Sequence, residues 1–267
     1  MDHQKQKLVR AFESHLSGDI ESAYDIYKDV MVADPGGIFA PVLINLIQMQ
    51  SVHLRSSKLA ALLNLKRNGF MPATVIDVGA QVGTQPLYEA FPEAHHVMLE
   101  PVQENESVLQ GICQSLKSAE CMMVAVTSRS GMVSLSVTDS LQYSSIAEQI
   151  GDPLNNRLVQ AVSLNDLCNS GGYSGPFLIK IDVDGVEIEV LKGASTLINP
   201  ESIFVVEAAM LVDQPRFPKI IDFFRPYGFV LHDIVDHLYR PSDSVLWQVD
   251  VVMVHEDHPV RQKHYYV

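Results

Sequence analysis

From residue 74 onward, short apolar runs alternate with stretches of helical periodicity, and this alternation constrains the fold more than any other feature. The runs have the length and the β-branched content of buried strands. Several of the segments between them are long enough for a crossover helix, which is how neighbouring parallel strands are joined. We therefore predict a doubly wound α/β domain with a mostly parallel sheet, whose first five strands read TVIDV, HHVMLE, CMMVAV, FLIKIDV and SIFVVEA.

The last part of the chain departs from this rhythm. A helix is predicted at residues 218–224, and the strand-like runs FVLHDIV and VDVVMVHE follow it. The segment between those runs, DHLYRPSDS, is too short and turn-rich for a crossover helix, so we predict an antiparallel hairpin at the sheet edge. A further pair of strands is predicted around Ser130 and Gly131, followed by a long polar loop over residues 139–156.

Residues 1–68 form a predicted helical N-terminal region, which precedes a domain that covers residues 69–267. Its first two helices, separated by Gly18 and Asp19, are similar to one tetratricopeptide-type hairpin. A single such unit cannot bury its own apolar face. The region is therefore a cap on the larger domain, an arm through which the protein forms a homo-oligomer, or a binding unit for a partner.

The charge of the chain argues against some partners. Its 267 residues carry a formal net charge of −13, and an acidic surface repels the phosphates of nucleic acids and of anionic lipids. The N-terminus lacks the apolar segment of a signal peptide, and no window reaches the ~18 apolar residues that a membrane span requires. We therefore expect a cytoplasmic protein that binds no nucleic acid and has no membrane span.

The first candidate site follows the first predicted strand, in the segment TVIDVGAQVGTQPLYEAF. Gly79 and Gly83 bracket a turn in which the backbone can approach a ligand closely, and the next helix directs free N–H groups toward an anionic group. Asp77 ends the strand and can accept a hydrogen bond from a ligand's ammonium group. The spacing lacks the third glycine of the dinucleotide fingerprint, G-x-G-x-x-G, which disfavours a dinucleotide oxidoreductase.

Further acidic residues lie at the ends of later predicted strands. Glu100 ends the second strand, 23 residues after Asp77, where a carboxylate can bind both hydroxyls of a ribose. Asp182 ends the strand FLIKIDV, and Asp184 and Glu187 follow at the turn and at the helix start. These three acids indicate a site that orients a hydroxyl group or binds a divalent metal ion, or else simple capping of the helix N-terminus.

The segments VIDVGAQVG, LEPVQEN, VSLNDL and LIKIDVDGVEIEVLKGA, in this order, resemble the FkbM family of methyltransferases over about residues 70–210. The resemblance implies a class I methyltransferase fold, which is Rossmann-like with a seven-stranded, mostly parallel sheet. It also implies S-adenosylmethionine as methyl donor and O-methylation of a sugar, glycan or natural product. The helical N-terminal region lies outside the shared pattern, so the resemblance implies no role for it.

The resemblance also implies roles for single residues. Asp182 would lie beside the sulfonium and the acceptor, and Glu207 matches the acid that ends the following strand. Glu100 would hold the ribose of the donor. The remaining predicted donor-site residues would contact the methionine end or the adenosine, and they are Asp77, Gly79, Ala80, Gly83, Pro101, Ala125 and Ser145.

Methyl transfer to a hydroxyl needs donor and acceptor in line and a group that takes up the hydroxyl proton. Asp182 is the first candidate for this general base and Glu207 the second, with His232 as a weaker alternative. Both carboxylates could instead bind Mg²⁺, which would orient and acidify the hydroxyl. The alternative to an enzyme is a methyltransferase fold that has lost turnover and serves as a scaffold, but the acids and glycines named above argue against degeneration.

Overall fold

A computed structural model gives the conformation of most of the chain. Its residues form two compact units, one that ends at Ser56 and one that begins at Ser57. The described residues are 2–16, 20–33, 56–136, 145–146, 156–210 and 216–261.

The first unit contains two helices, as the periodicity of its sequence predicts. Helices α1 (Asp2–Leu16) and α2 (Ile20–Ala33) pack around three fully buried side chains, those of Ala11, Ala23 and Tyr27. The part of the predicted helical region from residue 34 to residue 55 lies outside the described residues. The roles predicted for this region, as a cap, an arm for self-association or a binding unit, stay predictions.

The second unit is built on two sheets. Their strands in chain order are β1 (Thr74–Val78), β2 (His95–Leu99), β3 (Ala119–Met122), β4 (Ala125–Val126), β5 (Gly131–Ser136), β6 (Ser145–Ile146), β7 (Asn156–Val162), β8 (Phe177–Ile181), β9 (Ile203–Ala209), β10 (Phe229–Tyr239) and β11 (Leu246–His255).

The larger sheet has seven described strands in the order β10-β11-β9-β8-β1-β2-β3. Strands β3, β2, β1, β8 and β9 are parallel, while β11 is antiparallel to both β9 and β10. The predicted doubly wound α/β fold with an antiparallel hairpin at one edge is therefore confirmed. Because the five parallel strands point the same way, their carboxyl ends meet at one edge of the sheet.

The helices of this unit cover both faces of the larger sheet. Strand side chains alternate between the faces, so those of Val75 and Leu178 pack on one face and those of Ile76 and Ile179 on the other. Helices α3 (Lys58–Arg67), α4 (Gln85–Ala90) and α5 (Glu106–Ser115) supply the buried residues of the first face. The opposite face is covered by α6 (Leu164–Gly171), α7 (Glu187–Lys192) and α8 (Arg216–Phe224).

Helix α3 falls in the second unit, although the sequence-based division at residues 68 and 69 assigns it to the N-terminal region. Its inner residues Ala61, Leu62 and Leu65 are buried against the first face of the sheet. Ser57 caps the helix by accepting a hydrogen bond from the N–H of Ala60 at 3.3 Å, which is the usual role of an N-cap serine. The division itself stays a prediction.

The smaller sheet has the strand order β4-β7-β5-β6, and the sequence did not predict it. The two runs on either side of Ser130 and Gly131 do form strands, but they do not form a hairpin. Strand β7 lies between them, parallel to β4 and antiparallel to β5. The cause is that the chain leaves the larger sheet after Met122 and joins the smaller sheet at Ala125, so the run CMMVAV is divided between two sheets.

Within the described ranges, no helix is both long enough and apolar enough to cross a membrane.

Candidate functional site

An open cavity lies at the carboxyl ends of β1, β2 and β8, beside the smaller sheet. It holds about 570 Å³ of empty space, a volume that includes its solvent-filled mouth. Polar groups line its floor, while Val102 and Leu135 form part of an apolar wall. In doubly wound sheets this edge is where ligands bind.

Gly79 lets two strand ends approach each other at the floor of this cavity. Its φ of +73° lies in the left-handed region, which side chains other than glycine rarely adopt. A Cβ atom at this position would lie 1.9 Å from the carbonyl oxygen of Asp182. The backbone N–H groups of Gly79 and Ala80 donate to the Leu99 carbonyl at 2.9 and 3.1 Å. These two bonds join the turn to the end of β2.

Asp77 is buried beneath this turn and is held by protein groups. Its carboxylate accepts hydrogen bonds from the hydroxyls of Thr84 at 3.1 Å and Tyr88 at 3.2 Å. The ammonium of Lys180 lies 3.1 Å from the same carboxylate. Burial, with the charge of Asp77, raises the pKa of Tyr88, so this phenol stays a hydrogen-bond donor. Asp77 therefore fixes the shape of the turn, and the described residues that line the cavity do not include it.

Glu100 lines the cavity directly after β2 and is only 3% exposed. Its two oxygens accept from the backbone N–H groups of Gln81 at 2.9 Å and Val102 at 2.8 Å. Burial raises the pKa of this carboxyl group, while these two bonds and the side chain of Asn105 oppose the rise. A carboxylate has about four acceptor positions, so Glu100, held by three donors, is fixed in direction and keeps capacity for one more.

Asp182 directly follows β8, Glu207 lies near the end of the neighbouring strand β9, and their carboxyl groups are hydrogen-bond partners. We call them the carboxyl pair. The buried ammonium of Lys180 lies 3.3 Å from Asp182 Oδ2 and donates to the Gly79 carbonyl at 2.9 Å. Burial would raise the pKa of Asp182, but Lys180 and the hydrogen bond with Glu207 lower it below its usual range.

Glu207 is in a different environment from its neighbour. It is 7% exposed and accepts a hydrogen bond from the side-chain amide of Gln248. Burial, the hydrogen bond with Asp182 and the negative charge of that residue raise the pKa of Glu207 well above its usual range. Two carboxyl groups in contact, one ionised and one protonated, are the expected state when like charges share a site.

A second cluster of charged side chains lies next to the carboxyl pair, toward the sheet edge. Asp250 lies opposite Glu207 in the register of β11 and β9. The ammonium of Lys58, at the start of α3, lies 2.6 Å from Asp250 and 3.3 Å from Asp236. Asp236 also accepts the backbone N–H of Lys58 at 2.8 Å. Helix α3 is thus attached by charge to the strands next to the site.

The turn after β8 is held by a separate ion pair. Glu187 is 1% exposed, accepts the N–H of Gly185 at 2.8 Å, and lies 3.1 Å from the guanidinium of Arg216. Asp184 adopts a φ of +37° and lines the cavity. Burial, together with the charge of Asp182, raises the pKa of Asp184. Of the two later acids in this motif, Glu187 therefore supports the turn and Asp184 faces the cavity.

The structure brings most of the predicted site residues to one edge of the sheet. Five of them line the cavity: Gly79, Glu100, Pro101, Ala125 and Asp182. Four others lie around it without lining it among the described residues: Asp77, Ala80, Gly83 and Glu207. Ser145 is in β6, paired with Ser136, and its neighbours in the loop lie outside the described residues. His232 lies in β10 at the sheet edge.

Sequence reasoning missed two kinds of residue. One is the apolar wall, in which Val102 packs with Leu135 of the smaller sheet. The other is Lys180, which joins Asp77 to Asp182. A signal for it was present, because a lysine inside the apolar run FLIKIDV is rarely buried unless it is paired.

The carboxyl pair does not fit a Mg²⁺ site. Magnesium demands nearly octahedral oxygen ligands, whereas a lysine ammonium already neutralises Asp182 and an amide N–H donates to Glu207. Across the described part of the chain, no group of three or more His, Cys, Asp or Glu side chains is arranged to hold a metal ion. The structure therefore does not support the predicted alternative of a metal bound by both carboxylates.

Comparison with known proteins gives one family and many similar folds. A model described as the methyltransferase FkbM domain matches residues 77–231, more than half of the chain. No curated protein sequence matches significantly.

Three similar solved structures are methyltransferases by their printed descriptions. Precorrin-6y C5,15-methyltransferase from Geobacter metallireducens GS-15 is 11% identical with a TM-score of 0.42, and the match covers 71% of this chain and 84% of that one. Ribosomal protein L11 methylase from Lactobacillus delbrueckii subsp. bulgaricus is 12% identical with a TM-score of 0.42, covering 77% and 78%. The 1,6-didemethyltoxoflavin-N1-methyltransferase from Burkholderia thailandensis, with bound 1,6-didemethyltoxoflavin and S-adenosylhomocysteine, is 12% identical with a TM-score of 0.41, covering 78% and 83%.

Proposed function

The chain belongs to the FkbM family of methyltransferases, and from this premise we propose that it transfers the methyl group of S-adenosylmethionine to a hydroxyl group of a sugar, glycan or natural product. Its mostly parallel seven-stranded sheet is the class I methyltransferase fold that the resemblance implied. The observation that carries the proposal is the cavity itself, which has the oriented carboxylate of Glu100 and the carboxylate of Asp182 among its lining groups.

The residues of the cavity fit the donor. Glu100 accepts from two backbone N–H groups and from the Asn105 side chain, which leaves acceptor capacity for a further donor such as a ribose hydroxyl. Val102 and Leu135 offer an apolar surface suited to a purine ring. Gly79 leaves the backbone open to close approach by the methionine end. Pro101 and Ala125, which also line the cavity, complete the proposed donor site, and Ala80 and Gly83 shape its turn.

Asp182 is the group that we expect to accept the acceptor's proton. When bound, S-adenosylmethionine supplies an electrophilic methyl group, whose bond to sulfur breaks with both electrons left on sulfur. The hydroxyl oxygen becomes acidic as its new bond to carbon forms. A carboxylate whose pKa is lowered, as that of Asp182 is, can therefore take the proton during the transfer.

The experiment is methyl transfer with a panel of hydroxyl-bearing sugars, glycans and aromatic natural products. Formation of S-adenosylhomocysteine and of the methylated product is followed by mass spectrometry. We expect product with at least one hydroxyl acceptor, a 10²–10⁴-fold lower rate in Asp182→Asn, and an unchanged rate in the control Asp222→Asn, whose carboxylate is exposed on α8. Methylation confined to nitrogen acceptors would contradict the hydroxyl specificity, and donor binding without any turnover would favour the scaffold alternative.

A further inference from the structure

The carboxyl groups around the site are not equally supplied with positive charge. Five of them lie on the first face of the sheet or beside it: Asp77, Asp182, Glu207, Asp236 and Asp250. Two lysines, the buried Lys180 and the half-buried Lys58, form ion pairs with four of the five. Lys180 lies within 3.3 Å of Asp77 and Asp182, and Lys58 within 3.3 Å of Asp236 and Asp250.

Glu207 is the exception among these five. Within the part of the chain that the structure describes, its side chain meets the carboxyl of Asp182 and the neutral amide of Gln248, and it forms no ion pair. Carboxylates accept hydrogen bonds and do not donate them. A hydrogen bond between two carboxyl groups therefore requires a proton on one of them, and the surroundings decide which one.

We propose that Lys180 is a positioning residue that, by pairing with Asp182 and not with Glu207, leaves the shared proton of the carboxyl pair on Glu207 and keeps Asp182 ionised. This inference rests on the proposed function and assigns Glu207 a different role from that of a second base. Glu207 is then a neutral acid that donates its proton toward Asp182 and so fixes the direction of the proton-accepting carboxylate.

The geometry of Lys180 suits this role. Its ammonium has three N–H donors and three acceptors within 3.3 Å, which are Asp77, Asp182 and the Gly79 carbonyl. The side chain is 4% exposed, so solvent screens the charge little. One ammonium thereby joins the turn of the donor site to the proton acceptor. Its pKa is raised by the charges of Asp77 and Asp182, although burial acts in the opposite direction.

Three other charged groups near the pair also affect its protonation. Asp184 and Asp250 raise the pKa of Glu207 through their negative charge, and Lys58 lowers that of Asp182. Asp236 is paired with Lys58. The charges of Asp184 and Asp250 therefore favour a protonated Glu207, and the charge of Lys58 favours an ionised Asp182.

Infrared difference spectroscopy of the full-length protein without ligand, at pH 7 in D₂O, tests the position of the proton. The carbonyl stretching band of a protonated carboxylic acid should disappear in Glu207→Gln and persist in Asp182→Asn. The control Glu189→Gln removes an exposed glutamate that Lys192 keeps ionised, so it should leave this band unchanged. Lys180→Met should show a second acid band. The total area of its acid bands should be about twice the area that is lost when the wild type is changed to Glu207→Gln.

A band that survives in Glu207→Gln, or no acid band in the wild type, would overturn the proposal. If Lys180→Met folds and its acid-band area equals that of the wild type, Lys180 does not have the proposed positioning role. If Lys180→Met does not fold, the comparison of Glu207→Gln with Asp182→Asn still locates the proton. Because no donor is added, these results are independent of donor titrations, whose failure would count against the proposed function alone.

Discussion

Replacement of Gly79 by alanine tests how closely the donor-site turn and the end of β8 approach each other. At a φ of +73°, an alanine costs about 1–2 kcal/mol because its Cβ crowds its own backbone. The same Cβ would lie 1.9 Å from the Asp182 carbonyl oxygen, so this backbone must move by roughly 1 Å. Overpacking of this kind costs about 1–3 kcal/mol more. We expect a total loss of about 2–5 kcal/mol in the free energy of unfolding.

The matched control is Gly172→Ala. Gly172 has a φ of +67°, close to that of Gly79, but nothing lies within 4 Å of the position of its Cβ. The control should lose only the conformational part, about 1–2 kcal/mol, in urea unfolding followed by circular dichroism. Gly79→Ala should also lose binding of S-adenosylmethionine, whereas Gly172→Ala should keep it. Equal losses of stability in the two variants would refute the close approach.

Three further changes test other parts of the site. Glu100→Gln should weaken S-adenosylmethionine binding by 10-fold or more in calorimetry, because a neutral amide accepts the ribose hydroxyls poorly, while the exposed Glu93→Gln should not. Arg216→Met should destabilise the protein by about 2 kcal/mol in urea unfolding, because it leaves the buried Glu187 unpaired and Arg216 is itself partly exposed. The pKa of Glu207 is higher in the folded state than in the unfolded state. The contribution of Glu207 to the free energy of unfolding is therefore complete below the usual glutamate pKa and is lost as the pH rises toward the folded-state pKa. Because glutamine does not titrate, the free energy of unfolding of Glu207→Gln relative to the wild type should rise from pH 6 to pH 8, by at most about 1.4 kcal/mol per pH unit. A difference between the two proteins that stays constant with pH would contradict a retained proton on Glu207.

The larger sheet could be predicted from the sequence because each of its strands is recognisable from its own residues. Most parallel strands are largely apolar runs, and β1, β2 and β8 end at or next to an acid that marks the carboxyl edge, namely Asp77, Glu100 and Asp182. The edge hairpin followed from the short segment between the last two runs. These features depend on neighbouring residues alone, so no knowledge of distant contacts was needed.

The smaller sheet and the charge pairing depend on distant contacts. The placement of β4 in the smaller sheet is fixed by its pairing with β7, about 36 residues away. Lys180 pairs with Asp182 because of the strand order, and Lys58 pairs with Asp250 because of the placement of α3. Sequence reasoning therefore identified the acids of the site but could not show which of them are neutralised.

The most direct test of the proposed function is calorimetric titration of the protein with S-adenosylmethionine, S-adenosylhomocysteine and NAD, with Glu100→Gln beside the wild type. We expect saturable binding of both adenosyl ligands at a single site, weakened at least 10-fold in the variant, and no heat from NAD. Binding of NAD, or no binding of either adenosyl ligand to the folded wild type, would contradict the assignment of the cavity as a methyl-donor site.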